Sequence, residues 1–385
     1  LSVVVGQVGS YDLQIGLKVN MDDVIYVLSP MDTPLAGGIA ADGLSVLSTF
    51  PVDEIQYTWM EEQILTPRST LNGAVVTADV FITMATGTRT NFQTGDILVI
   101  VKNTGAGESM RVTGYGATAD TLTVTRAYTG AATTYASASV VIGVGLALPE
   151  GNAPENARSK DRSTAFNYTQ IFGPYKVSMS RTEQQVAKYG VANEFSHQLF
   201  NRTQEAFIGR EQAFLLGVRV NDAGNKWRSM GGIDSFIPAG TTDAASTQIT
   251  VATLESLLQK NFNNGGMPDR LLVNPGQLTD LNASTDTQRV RQDVNDPLRG
   301  RMHTLTVATE YGVMPVVRNR WVPGPFAWAI KRDSVVRRIL QPLILVPLAK
   351  TGDRDEMMLV MEEGLEVKGA SHMSRFTNLG YTNIP

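Results

Sequence analysis

Residues 149–217 read PEGNAPENARSKDRSTAFNYTQIFGPYKVSMSRTEQQVAKYGVANEFSHQLFNRTQEAFIGREQAFLLG. The first part, to Gly190, is charged and polar, with too little apolar content to fold on itself. It still carries Phe166, Tyr168, Ile171, Phe172 and Tyr175, too many apolar groups to leave in water. Such an arm reads as a segment that lies on another subunit. The second part is amphipathic: Phe195, Leu199, Ala206, Ala213 and Gly217 form one line and Phe200, Phe207 and Phe214 its neighbour, the spacing of an apolar helical stripe. A helix from Val191 to Gly217 spans roughly 40 Å at its standard rise, long enough to act as a spine.

Upstream of the arm, residues 80–148 are rich in Val, Thr and Gly. Five strands are predicted, at 80–84, 96–102, 108–115, 120–126 and 139–146, separated by turn residues and sufficient for a small β-barrel. The segment before it, 54–65, alternates as a strand with Ile55, Tyr57 and Trp59 on one face. Asp53, Glu54, Glu61 and Glu62 against Arg68 give this flank a charge of −3. Arg158, Lys160, Arg162, Lys176, Arg181 and Lys188 against Glu150, Glu155, Asp161 and Glu183 give the other flank +2. Opposite signs favour pairing of the two limbs with each other, or docking of one on a neighbouring subunit, at about 0.2–1 kcal/mol per well-placed pair. The 80–148 module then reads as an insertion between two limbs of one hairpin.

The N-terminal 50 residues form an arm, with a short helix expected near 21–28 and a turn in SPMDTPL (29–35), where Pro30 and Pro34 forbid a continuing helix. Beyond the spine, 253–266 reads as a helix closed by two glycines. Residues 269–275 read as a buried strand, 276–284 as a short helix, and 314–321, 326–332, 335–341 and 357–369 as strands of an antiparallel sheet. The fold class is α+β.

Composition narrows the function. The 385 residues include 33 basic and 37 acidic groups, a net charge of −4, so there is no global attraction for nucleic acid or anionic membrane. Cysteine is absent, which removes disulfides, thiolate nucleophiles and cysteine-ligated metals. No apolar run is long enough for a helical membrane span, so a soluble chain is expected. Leu1 and the residues after it lack a signal-peptide pattern, leaving a processed or a truncated terminus as the readings.

Catalytic signatures are missing. There is no glycine-rich phosphate loop and no nucleophile elbow. His197, His303 and His372 have no metal-ligand spacing. Asp353, Asp355 and Glu356 lack the glycine and the final glutamate of a calcium loop, and read as a solvated turn. Glu61 and Glu62 point to opposite faces of a strand, which is wrong for a paired acid and base. Neither a catalytic residue, a cofactor site nor a metal site is expected. Two basic clusters remain: Arg158, Lys160 and Arg162, which suit an acidic protein partner better than DNA, and a loop bearing Arg289, Arg291, Arg299 and Arg301, which suits DNA phosphate, carboxylates at a symmetry axis, or water.

The order of these parts resembles the major capsid protein of tailed double-stranded DNA bacteriophages, with the Hong Kong 97-type (HK97-like) fold. SPMDTPL, RSTAFNYTQIFGPYKVSMSRTEQQVAKYG, REQAFLLG, the GGI at 231–233 and LVNPGQL at 272–278 carry the likeness. The resemblance implies an N-terminal arm (1–52), an extended loop (E-loop) from 53–79 and 149–180, and an inserted barrel (80–148) on the capsid exterior. It implies a peripheral P-domain (181–244 and 311–385) with the spine helix 191–217, and an axial A-domain (245–310) bearing the four-arginine loop. Assembly into pentamers and hexamers of an icosahedral head is then expected, located in the virion after assembly in the host cytoplasm. Other copies of the chain, portal, scaffold and decoration proteins are the partners, and double-stranded DNA is enclosed without sequence-specific binding. Arg158, Lys160, Arg162, Phe166, Tyr168, Phe172 and Tyr175 are the candidate inter-subunit contacts; some relatives cross-link a loop lysine to a neighbour's asparagine, and Lys160 is the loop candidate here, but no motif establishes that chemistry. The alternative is a binding module whose barrel recognises a carbohydrate or a decoration protein; a hydrolase ranks third.

Overall fold

The computed structural model describes residues 32–35, 47–62, 64–101, 107–151, 162–186, 188, 190–191, 193–244, 247–283, 289–296 and 300–380. Most of the N-terminal arm, including the helix expected at 21–28, therefore lies outside the described residues, as do Arg158, Lys160 and Arg299. The chain divides into two compact units, residues 60–164 forming one and residues 1–59 with 165–385 the other.

The smaller unit is built on a six-stranded antiparallel sheet. Its strands are Arg68–Thr70, Val140–Leu146, Asp96–Ile100, Ser109–Tyr115, Thr121–Thr129 and Phe81–Thr83, in that spatial order. A bridge between Leu71 and Met84, with Asn72 N donating to Thr83 O (2.8 Å) and Ala85 N to Thr70 O (2.8 Å), joins the two end strands and closes the sheet. Alternation decides the interior: Leu98, Ile100, Met110, Val112, Leu122, Val124 and Val141 point inward with Phe92, Ile82 and Met84 and exclude solvent. The sheet needs Arg68–Thr70, which precedes residue 80, the start expected for this module. Three residues of Arg, Ser and Thr carry no alternating apolar signal, and only tertiary pairing with Val140–Ile142 makes them a strand.

In the larger unit the spine helix runs over Glu194–Leu216, with Asn193 Oδ1 accepting from Ser196 N at 3.1 Å as its N-cap. Its buried residues are Gln204, Ala206, Arg210, Glu211, Phe214 and Leu215. Ala206 and Phe214 of the predicted apolar stripe are buried and Phe207 and Ala213 pack against the same core, but Phe200 is exposed and three polar side chains lie inside. The helix packs on a four-stranded sheet ordered Ser48–Pro51, Val335–Pro347, Arg354–Val367 and Gln170–Ser180. The chain leaves the helix at Gly217, where the backbone passes so closely that a β-carbon on Gly232 would lie 2.5 Å from Gly217 N. That contact explains the glycine of the GGI motif.

A second, seven-stranded sheet has Arg270–Val273 at its centre, parallel to Gly312–Arg318 and antiparallel to Ala327–Ile330. Leu271 and Val273 face one apolar core with helix Val251–Asn263, while Leu272 faces the spine-side core with Trp328. The sheet does not end at residue 310, where the A-domain boundary was expected. Gly300–Thr309 pairs with Gly312–Arg318 across a tight turn, and Ala327–Ile330 and Ser374–Phe376 continue the same sheet. The segment expected as a four-arginine loop is a β-hairpin, Arg289–Asp296 against Gly300–Thr309.

Candidate assembly interface

The two limbs flanking the barrel pair with each other. Gln56–Glu61 and Ser163–Tyr168 form a two-stranded ribbon through which the chain passes from one unit to the other and back. On its outer part Arg162 Nε sits 3.2 Å from Glu62 Oε2, an exposed ion pair worth at most about 1 kcal/mol. Ser163 Oγ donates to Glu61 O at 3.1 Å. Met60 is 70% and Ile64 89% exposed, so this part offers apolar side chains to whatever lies beside it.

The base of the ribbon is embedded. Tyr57 and Trp59 are buried and stacked, and Trp59 packs against Phe236 at 5.9 Å. Phe166 lies edge-on to Tyr168 at 5.7 Å and beneath the Arg219 guanidinium, 4.2 Å from its ring centroid, while Arg219 Nη1 donates to Phe166 O at 2.8 Å. Arg228 Nε donates to Thr169 O at 2.9 Å, and Thr169 Oγ1 donates to Glu362 Oε1 at 2.6 Å. Burial, reinforced by the charge of Glu366, pushes the Tyr57 hydroxyl well above its ordinary range, so it is a donor throughout the physiological pH range.

Strand Arg354–Val367 buries four glutamates, and the three beneath the ribbon, Glu362, Glu363 and Glu366, are each met by arginine. Arg228 pairs with Glu362 and Arg338 with Glu366. Glu363 takes Arg337 Nε at 2.7 Å and Arg210 Nη1 of the spine helix at 3.4 Å. Burial, opposed by the charge of Glu363, holds the Arg210 guanidinium below its usual range. Next to it, Glu211 Oε1 accepts from Asn319 Nδ2 at 2.6 Å and from Leu35 N at 2.9 Å. The spine helix is thus tied to the sheet by the Arg210–Glu363 pair and to Leu35 of the N-terminal arm through Glu211.

Several expected contact residues are used inside their own chain. Phe172 is 4% exposed in the spine-side core, and Tyr175 packs against that core with Arg202 over its ring at 4.9 Å. The reason is that 170–180 is a body strand: Phe172 pairs with Met361 and Tyr175 with Leu359. Phe172 is a core residue, and the returning limb ends at Tyr168, short of the 180 expected. Phe166 and Tyr168 are half-buried at the ribbon base. Arg289 and Arg291 stand opposite Val307 and Leu305 in the hairpin register, and Arg301 opposite Asn295. Sequence reasoning missed the buried ion pairs; adjacent RE and EE in otherwise apolar elements were the available signal. It also passed over Met60 and Ile64. No group of metal-ligating side chains occurs among the described residues.

The sequence model described as SU10 major capsid protein matches residues 6–380. No curated protein sequence matches the chain. Among solved structures, one from Microbacterium phage Oxtober96 superposes with a TM-score of 0.50 at 9% identity, covering 97% of this chain and 100% of that one. One from Mycobacterium phage Cain gives 0.48 at 9% identity over 98% and 100%. The capsid of Myoviridae phage XM1 gives 0.47 at 9% identity over 98% and 100%. At such identity the first of these is a likeness of fold.

Proposed function

The chain belongs to the SU10 major capsid protein family, a structural component of phage capsids with the HK97-like α+β fold, and from that premise we propose how it assembles. Copies of it form pentamers and hexamers of an icosahedral head that encloses double-stranded DNA, with portal and scaffold or decoration proteins as further partners. The ribbon of Gln56–Glu61 and Ser163–Tyr168 acts as the extended loop and reaches a second copy. The observation that carries this is the contrast along strand Gln56–Glu61: Tyr57 and Trp59 at its base are buried in aromatic and polar contacts, while Met60 on the same strand is 70% exposed. Apolar groups held out on a fixed support suit a partner surface. The seven-stranded sheet with its Arg289–Thr309 hairpin takes the axial position. A net charge of −4 favours a shell that does not hold its DNA tightly.

Electron microscopy of the purified chain tests the reading. Closed shells or ring-shaped capsomers are expected, and a species that stays monomeric at every concentration would overturn it.

A second reading concerns the closed six-stranded sheet, where Phe81, Tyr115 and Tyr128 are about half exposed. These rings favour a decoration protein or a carbohydrate as a ligand of that surface. Removing residues 66–148 then leaves a chain that folds but forms shells lacking that partner.

A further inference from the structure

The carbonyl oxygen of Leu365 accepts a side-chain hydrogen bond from each strand of the ribbon. Tyr57 Oη donates to it at 2.9 Å and Asn167 Nδ2 at 2.6 Å. Asn167 is fully buried, and its amide is saturated. Nδ2 donates also to Gly231 O (3.0 Å), while Oδ1 accepts from Gly231 N (2.8 Å) and Tyr168 N (2.9 Å). One side chain therefore ties the returning strand to the loop after the spine helix and to the central strand of the four-stranded sheet. On the other strand, Tyr57 reaches Leu365 only because residue 364 has no side chain: a β-carbon on Gly364 would sit 2.3 Å from Tyr57 Oη.

A two-stranded ribbon is marginally stable by itself in water. A ribbon that became ordered only on meeting a partner would subtract that ordering from the binding free energy. The convergence of both strands on one buried carbonyl removes this loss at the ribbon base.

We propose, resting on the reading that the ribbon reaches a second copy, that Tyr57, Asn167 and Gly364 are positioning residues for assembly. They lock both strands where these leave the larger unit, so that the exposed Met60, on the same strand as Tyr57, is presented on a preformed support. None of the three is assigned a contact with the second copy.

The test uses the full chain carrying Asn167→Ala, Tyr57→Phe or Gly364→Ala, read by amide hydrogen exchange on unassembled protein and by the yield of closed particles on a gradient. Exchange at 56–61 and 163–168 is expected to rise at least tenfold in Asn167→Ala, with protection of the spine helix unchanged, and particle yield to fall several-fold. Tyr57→Phe, which keeps the ring and removes one donor, should lie between this variant and the parent, and it carries the test if Asn167→Ala fails to fold. Equal loosening of ribbon and spine would make these residues ordinary core groups and overturn the proposal, as would parental exchange and parental yield in Tyr57→Phe. A separate variant, Met60→Ser with Ile64→Ser, probes the underlying reading. If it folds and assembles at parental yield, the ribbon is not an assembly contact and that reading falls; the lock is then judged by exchange alone.

Discussion

Arg210 of the spine helix and Glu363 of strand Arg354–Val367 form an ion pair at 3.4 Å whose side chains are 2% and 1% exposed. Glu363 also holds Arg337 at 2.7 Å, so the carboxylate serves two arginines. Removing it takes a carboxylate from the buried Arg210 and the partly buried Arg337, whereas removing Arg210 leaves Glu363 paired with Arg337. Breaking a buried pair from the side that leaves charge uncompensated costs about 3–5 kcal/mol. Glu363→Gln is therefore expected to destabilise the unassembled chain by about 3 kcal/mol or more, and Arg210→Met by clearly less. Urea denaturation monitored by circular dichroism gives both values. Equal losses would mean that Arg337 does not compensate Glu363.

Glu108 and Arg126 make the corresponding pair inside the six-stranded unit. Glu108 accepts from Arg126 Nη2 (2.7 Å) and Nε (2.9 Å), from Ala127 N (2.6 Å) and from Thr133 N (3.0 Å). Burial alone would raise its carboxyl, but the bonds from Arg126, Ala127 and Thr133 hold it below the ordinary glutamate range. A folded-state value below the unfolded one gives stability that is complete above the unfolded pKa of about 4.3 and is lost as pH falls through the folded value. Melting temperature should then be insensitive to this group from pH 8 to about 5 and decline below about 4. Glu108→Gln should melt lower at pH 7 and show a shallower acid decline. An identical acid limb in the variant would rule this linkage out.

Phe172 and Ile64 separate folding from assembly. Phe172 lies in the spine-side core, and truncating a buried phenylalanine to alanine costs about 3–5 kcal/mol. Phe172→Ala should therefore lower the stability of the unassembled chain by that order and reduce shells only as a consequence. Ile64, 89% exposed, should tolerate Ile64→Ser within about 0.5 kcal/mol while particle yield falls. Calorimetry of the unassembled chain beside gradient yields distinguishes the two effects.

These residues also show what could be read from the sequence and what could not. Five of the six strands of the six-stranded sheet were legible because one face of each is buried in a local core, and Met110, Val112, Leu122 and Val124 follow the resulting alternation. The spine helix was legible in extent and in the apolar part of its inward face, Ala206 and Phe214, but not in the polar part. Arg210 and Glu211 are buried because Glu363 on a distant strand meets the one, and Asn319 with the Leu35 amide meets the other, partners that the helix sequence itself does not name. For the same reason the arm from 149 to 180 reads as one extended limb, paired with 53–79 or docked on a neighbour, although Gln170–Ser180 is a strand of the four-stranded sheet. Its aromatic residues alternate as strands do, and whether Phe172 meets Met361 of its own chain or another surface is decided by a pairing nearly two hundred residues away. Arg68–Thr70 is a strand by context alone.

Gln204 offers the opposite case from Asn167. It is 4% exposed on the spine helix, and neither Oε1 nor Nε2 has a hydrogen-bond partner. A buried amide left unsatisfied costs about 1–3 kcal/mol, and replacing it by an apolar group of similar shape recovers that. Methionine matches glutamine in length and branching and adapts to irregular space. Gln204→Met is accordingly expected to raise the stability of the unassembled chain by about 1–2 kcal/mol, with the urea midpoint shifted upward at constant slope. The neighbouring buried pair provides the control, because Arg210→Met, six residues further along the helix, removes a paired charge and should shift the midpoint down. A fall in stability for Gln204→Met would show that the amide is bonded through buried water, and that the spine helix keeps a polar site there.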